Sequence, residues 1–144
     1  MTYIELKNKQ QKEADSFFNE NAFFAFDTSQ FEKGVTQLNL GMDTYASSLI
    51  NIGCGGYVLK SKMSDMKEMF KRQKAELKNF QKDNTALIEA IVYELGNHEF
   101  CITCDTTEAL TVLDLFDASQ TDTRIQRAVK KAIKIYNDAV ILNN

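Results

Sequence analysis

From Ser64 to about Lys82, side chains suited to a buried face recur in steps of four and three: Met66, Phe70, Gln73, Leu77 and Phe80. Only a helix places such positions on one stripe, so this segment is fixed as a long amphipathic helix. The rest of the chain is read outward from it. Asp122 to Leu142 carries Ile125, Val129, Ala132, Ile133, Tyr136 and Val140 at the same kind of spacing. That predicts a second long helix at the C-terminal end.

Thr2 and Glu5 have the spacing of a reciprocal N-cap, which predicts a helix from there to about Phe18. Ala22 to Phe26 is short and aromatic between Asn21 and Asp27, and suits a buried strand. Ser29 and Glu32 repeat the capping spacing, Phe31, Val35 and Leu38 share a helical face, and Gly41 stands where a C-cap belongs. Leu49–Ile52 and Tyr57–Leu59 flank Gly53-Cys54-Gly55-Gly56 and predict an antiparallel hairpin. Asn84 caps a helix with Ile88, Ile91, Val92 and Leu95 buried and Gly96 at its end. Phe100 to Cys104 alternates like a strand, and Asp105 with Glu108 caps one more turn running to Leu113. The expectation is α+β: a mostly helical single domain over residues 1–144, with about five to six helices on a small antiparallel sheet of three or four short strands.

With 144 residues, 44% of them hydrophobic, the chain is long enough to bury about two-thirds of its unfolded surface. Ten Phe, five Tyr and no Pro argue against disorder. No signal-peptide core opens the sequence and no 18 apolar residues run together, so a cytoplasmic protein is expected. Cys54, Cys101 and Cys104 make an odd count without an export signal, so they are expected as free thiols.

Charge is sorted along the chain. Residues 1–59 net −3, residues 60–82 net +5, residues 83–122 net −9 with no Lys or Arg at all, and residues 123–144 net +4. One reading is a set of solvated helix faces. The other is a pair of opposed patches that steer association with a charged macromolecule. The acidic candidates are Glu89, Glu94, Glu99, Asp105, Glu108, Asp114 and Asp117, which imitate phosphate toward a protein groove built for nucleic acid. The basic candidates are Lys67, Lys71, Arg72, Lys74 and Lys78 on one helix, and Arg124, Arg127, Lys130, Lys131 and Lys134 on the last. They would contact phosphates directly, although the overall balance is acidic where nucleic-acid domains are usually basic.

Catalytic chemistry has little to build with. His98 is the only histidine, and a zinc set of His98, Cys101, Cys104 and Cys54 has suitable atoms, but two cysteines three apart on a strand point to opposite faces. No third group orients a Cys–His pair. His98 at a helix end also suits the C-terminal dipole. The glycines at 53, 55 and 56 precede a strand rather than a helix and so read as hairpin geometry, not a phosphate cradle. Met63, Met66 and Met69 read as core or a soft contact surface. No cofactor and no metal are expected, and a small thiol or metal enzyme ranks third among the functions considered.

The phrases LKNKQQKE, FFAFDTSQFEKG, IGCGGYVLK, MKEMFKRQKAELKNF and YELGNHEFCITCDTTEAL span most of the chain. Together they resemble a family of small proteins from phages and mobile elements of gut bacteria that includes a type II-A anti-CRISPR protein. The matching positions are Phe24, Phe26, Gln30 and Phe31, then Gly55, Gly56 and Tyr57, then Glu94, Asn97, His98 and Glu99. Cys104 departs from the glycine expected there, which puts a zinc role in further doubt. The resemblance implies a non-enzymatic inhibitor that binds a type II CRISPR effector nuclease with its guide RNA in the host cytoplasm. The runner-up is a phage-borne nucleic-acid-binding accessory protein that uses the basic helices.

Overall fold

Asp27 fixes a helix start in the first half of the chain: its carboxylate accepts the Gln30 N–H at 2.8 Å, and a helix runs from Thr28. The computed structural model describes residues 1–41 and 43–143. It contains α1 Tyr3–Asn21, β1 Ala22–Phe24, α2 Thr28–Gln37, α3 Tyr45–Ser48, β2 Leu49–Gly53 and β3 Gly56–Leu59. After a 3-10 turn at Lys60–Lys62 come α4 Met63–Phe80, α5 Asn84–Asn97, α6 Phe100–Thr103, α7 Thr107–Val112, α8 Phe116–Thr121 and α9 Thr123–Leu142. The class is α+β as expected, with nine α-helices among the described residues and one antiparallel sheet of order β1-β3-β2. No helix among them is long and apolar enough to cross a membrane.

The chain divides into two compact units. The first in sequence is Ile4–Lys74 and holds the whole sheet. Pairing sets Ala22 against Val58, Phe23 against Tyr57 and Phe24 against Gly56, while Ile50 faces Val58 and Asn51 faces Tyr57. Cys54 (φ 52°) and Gly55 (φ 78°) both take left-handed backbone, the two-residue loop whose twist matches that of its strands. One sheet face packs Ala22 and Val58 with Met66, and another cluster gathers Phe23, Ala25 and Val35. Glycines admit the rings: a Cβ on Gly34 would lie 2.2 Å from Phe23, and one on Gly55 would lie 2.5 Å from Phe26.

The second unit, Met1–Tyr3 with Ala75–Asn144, is helical. Leu87, Ala90, Ile91 and Leu95 of α5 are fully buried with Leu113 and Ala132. Each such large side chain contributes about 1.5–3 kcal/mol on leaving water. Asp122 caps α9 by accepting the Arg124 N–H at 2.8 Å.

Several expectations are corrected. Phe100–Cys104 is a single helical turn, not a strand, because left-handed Glu99 (φ 55°) turns the chain sharply and buries Phe100 as an anchor. Asp27 and Asp83 are the caps, in place of Ser29 and Asn84, since each aspartate accepts an N–H from the first turn. Gly41 and Gly96 end no helix: Leu38 and His98 are the C-caps, with Asn39 (φ 58°) the left-handed residue after α2. Phe70 on the α4 stripe is 42% exposed, and Met69 is buried instead.

Candidate functional site

Four helices, α5 to α8, carry the segment that lacks Lys and Arg. Three of them anchor in the core, through Leu87 and Ile91 of α5, Phe100 of α6 and Leu110 of α7, with Leu113 and Leu115 buried between α7 and α8, whereas Ile102 and Phe116 stay exposed. The acidic side chains occupy the remaining positions, and their fates differ.

Glu94 is overturned as a contact residue, because it is wholly buried on the core-facing side of α5. The Tyr3 hydroxyl donates to its Oε1 at 2.6 Å and the Asn97 amide donates to its Oε2 at 3.2 Å. His98 Nε2 lies 3.2 Å from Oε2 without making a hydrogen bond to it. Burial and then the bond to Glu94 hold the Tyr3 hydroxyl well above its usual range, so it stays a donor. A buried carboxylate retains its place only when such donors replace water. This cluster is a structural tie within its unit, and Glu89 reinforces it by accepting the Tyr3 N–H at 3.0 Å.

The other acids face solvent. Glu99 sits on the left-handed residue before α6, and Asp114 on another (φ 56°) after α7. Asp105 accepts the Thr107 hydroxyl at 2.7 Å and its N–H at 2.9 Å. Those bonds, the hydroxyl first, hold its carboxyl below the usual range, so it remains anionic. Glu108 lies 3.3 Å from His98 Nδ1, and Asp114 lies 3.8 Å from Lys78. Asp117 opens α8 and is exposed. Among the described residues, Glu99, Asp105 and Asp117 meet no cationic side chain in an ion pair. The face is therefore built from turns and helix starts rather than from a long charged helix.

The basic candidates are similarly divided. Arg72 is paired with Glu13, and Lys134 lies 2.9 Å from Asp138. Arg124 is occupied by the end of α4, donating to the carbonyls of Gln81 and Lys82 and to Asn84 Oδ1. Lys67, Lys71 and Lys74 are exposed along α4, and Arg127, Lys130 and Lys131 are exposed along α9. Arg127 borders two depressions, one of about 500 Å³ shared with Lys130 and one of about 260 Å³ shared with Lys131 and Arg124.

The aromatic and glycine phrases meet in the other unit. Phe31 and Tyr57 pack edge to face at 5.0 Å, and Phe23 stacks on Tyr57 at 5.4 Å. Gly56 is buried with the Phe24 ring close over it. Phe26 is 78% exposed, yet its N–H is held by the Gln30 side chain at 2.7 Å and its ring covers Gly55. A groove of about 440 Å³ runs beside it, lined in part by Phe18, Phe24, Gln30 and Lys33.

Among the described residues no set of three or more His, Cys, Asp or Glu side chains is arranged to hold a metal ion. Residues that escaped the sequence reading are Tyr3, the partner of Glu94, and Gln81, buried with its amide donating to the Leu113 carbonyl at 2.9 Å. The model of a family of unknown function, DUF7659, matches residues 2–135. No curated protein and no solved structure matches the chain.

Proposed function

The chain belongs to the DUF7659 family, whose function is unknown, and we propose that it is a non-catalytic protein that binds and blocks a nucleic-acid-handling partner through its acidic face. The observation that carries this reading is the exposed set Glu99, Asp105 and Asp117, with no cation paired to it among the described residues and no Lys or Arg between residues 83 and 122. Carboxylates left without counter-charges attract a basic groove, and they do so most strongly where that groove is shaped for phosphates. RNA-guided DNA nucleases present long basic channels for guide and target strands. A type II effector with its guide RNA is the first partner to test, as the resemblance of the sequence phrases also implies.

The test is capture of the effector by the immobilised chain, with and without guide RNA, alongside a DNA-cleavage assay. Binding and inhibition are expected, both lost in an E99K/D105K/D117K variant that keeps its helical circular dichroism. Undiminished cleavage and no capture of the effector refute the effector as partner. Binding that survives the triple charge reversal refutes the acidic face.

A second reading rests on Arg127, Lys130 and Lys131 beside the two depressions of α9: direct contact with nucleic-acid phosphates. Gel shifts at two salt concentrations separate it from the first, since phosphate contacts lose affinity steeply with salt.

A further inference from the structure

Cys101-Ile102-Thr103-Cys104 lies apart from the buried tie at Glu94. The helical turn that replaces the expected strand changes what these two thiols can do. Ile102 and Thr103 donate to the Glu99 carbonyl at 2.9 and 3.1 Å, and the Cys104 N–H reaches the Phe100 carbonyl at 2.9 Å. Cys104 is the left-handed C-cap (φ 55°) that ends this turn, and Cα atoms three apart across such a turn lie about 5 Å from one another. That is within the roughly 4.4–6.8 Å that a disulfide spans. Both cysteines are exposed. Buried Phe100 anchors the turn, its ring 5.7 Å from that of Tyr136 on α9. The Tyr136 hydroxyl is held above its ordinary range, first by the neighbouring Cys101 side chain and then by burial.

We propose that Cys101 and Cys104 are a redox-active dithiol, a modification site that closes into an intramolecular disulfide by exchange with a small-molecule disulfide of the oxidised-glutathione class. The Cys101 thiolate attacks one sulfur of that disulfide, forming a mixed disulfide and releasing one thiolate, which takes up the proton Cys101 lost. Cys104, losing its own proton, then attacks the Cys101 sulfur. The Cys101–Cys104 bond forms as the second small thiol leaves. The two cysteines together lose two electrons and two protons, and the small disulfide gains them as two thiols. In a reducing compartment a bond of this kind is transient and responsive rather than structural. The site stands whether or not the acidic face binds a protein.

The full chain is equilibrated in glutathione buffers from fully reduced to fully oxidised, quenched with a maleimide, and digested with trypsin. Because residues 83–123 contain no Lys or Arg, Cys101 and Cys104 emerge together in peptide 83–124, apart from Cys54 in peptide 34–60. The expected result is joint loss of both maleimide labels from peptide 83–124, with a mass two hydrogens lower. In C104S the glutathione adduct on Cys101 should accumulate at least tenfold above the natural chain, since nothing resolves it. Full labelling of both cysteines across the series overturns the proposal. So do glutathione adducts that persist singly in the natural chain, or dimers linked between chains through either cysteine.

Discussion

Gly34→Ala tests whether the aromatic packing of the sheet-bearing unit is as tight as its distances state. In an ordinary helix interior this change stabilises by about 1 kcal/mol, because alanine loses less freedom on folding. Here the new Cβ would stand 2.2 Å from Cδ2 and Cγ of Phe23. Phe23 is buried and held by Phe31 at 5.6 Å and by Tyr57 at 5.4 Å, so its ring can give way only by breaking those contacts. Forcing a methyl group into such a core costs about 1–3 kcal/mol, and a blocked ring places the cost near 3. The net is a loss of about 2 kcal/mol, which lowers the thermal midpoint by about 8 °C in a chain of this size. Thermal and urea unfolding followed by circular dichroism measure it. Phe23→Leu in the Gly34→Ala background should recover at least about 1 kcal/mol relative to additivity. A Gly34→Ala chain that melts at or above the unmodified midpoint refutes the packing argument.

Tyr3→Phe removes the 2.6 Å donor to buried Glu94 and should cost about 2 kcal/mol, while Tyr3→Phe with Glu94→Gln should cost less than the sum; urea midpoints decide it. Arg124→Lys keeps the charge but not the fork that reaches the Gln81 and Lys82 carbonyls, so a loss of about 1–2 kcal/mol is expected, and an unchanged unfolding midpoint would speak against that capping role. Asp105 should titrate below an ordinary aspartate in carboxyl-detected NMR, and Thr107→Val should move it upward by removing the hydroxyl donor. Because its folded value is depressed, Asp105 contributes stability above the unfolded carboxylate range, and that contribution is lost as pH falls through the folded value.

Periodicity made the long elements legible. The stripe of α4, the apolar run of α9 and the paired runs around Cys54-Gly55 led to the right elements because each repeats a period several times. The short ones were not legible. Tyr45–Ser48 and Phe116–Thr121 are too brief to show a period, and Phe100–Thr103 reads equally as strand or turn until the left-handed Glu99 is known. Caps were misplaced by one or two residues because Asp27 and Asp83 stand beside equally competent Ser29 and Asn84, and only backbone geometry chooses between them. Glu94 carried a signal that the charge count overrode: it lies three residues after Ile91 and beside Leu95, on the face α5 buries. The partners of that carboxylate were out of reach, since Tyr3 precedes it by 91 residues. That Glu99, Asp105 and Asp117 are exposed was legible from charge alone, because carboxylates rarely leave water without a partner.

The bond between Tyr3 and Glu94 also bears on the order in which the two units can close. Tyr3 leaves the ribosome well before Ala75, yet the unit it completes consists, beyond residues 1–3, of residues 75–144. Ile4–Lys74 is contiguous and has all its own residues in hand once Lys74 has emerged. The later unit finds that hydroxyl on a segment made long before its own helices, so a change at Tyr3 is felt 91 residues downstream, at Glu94.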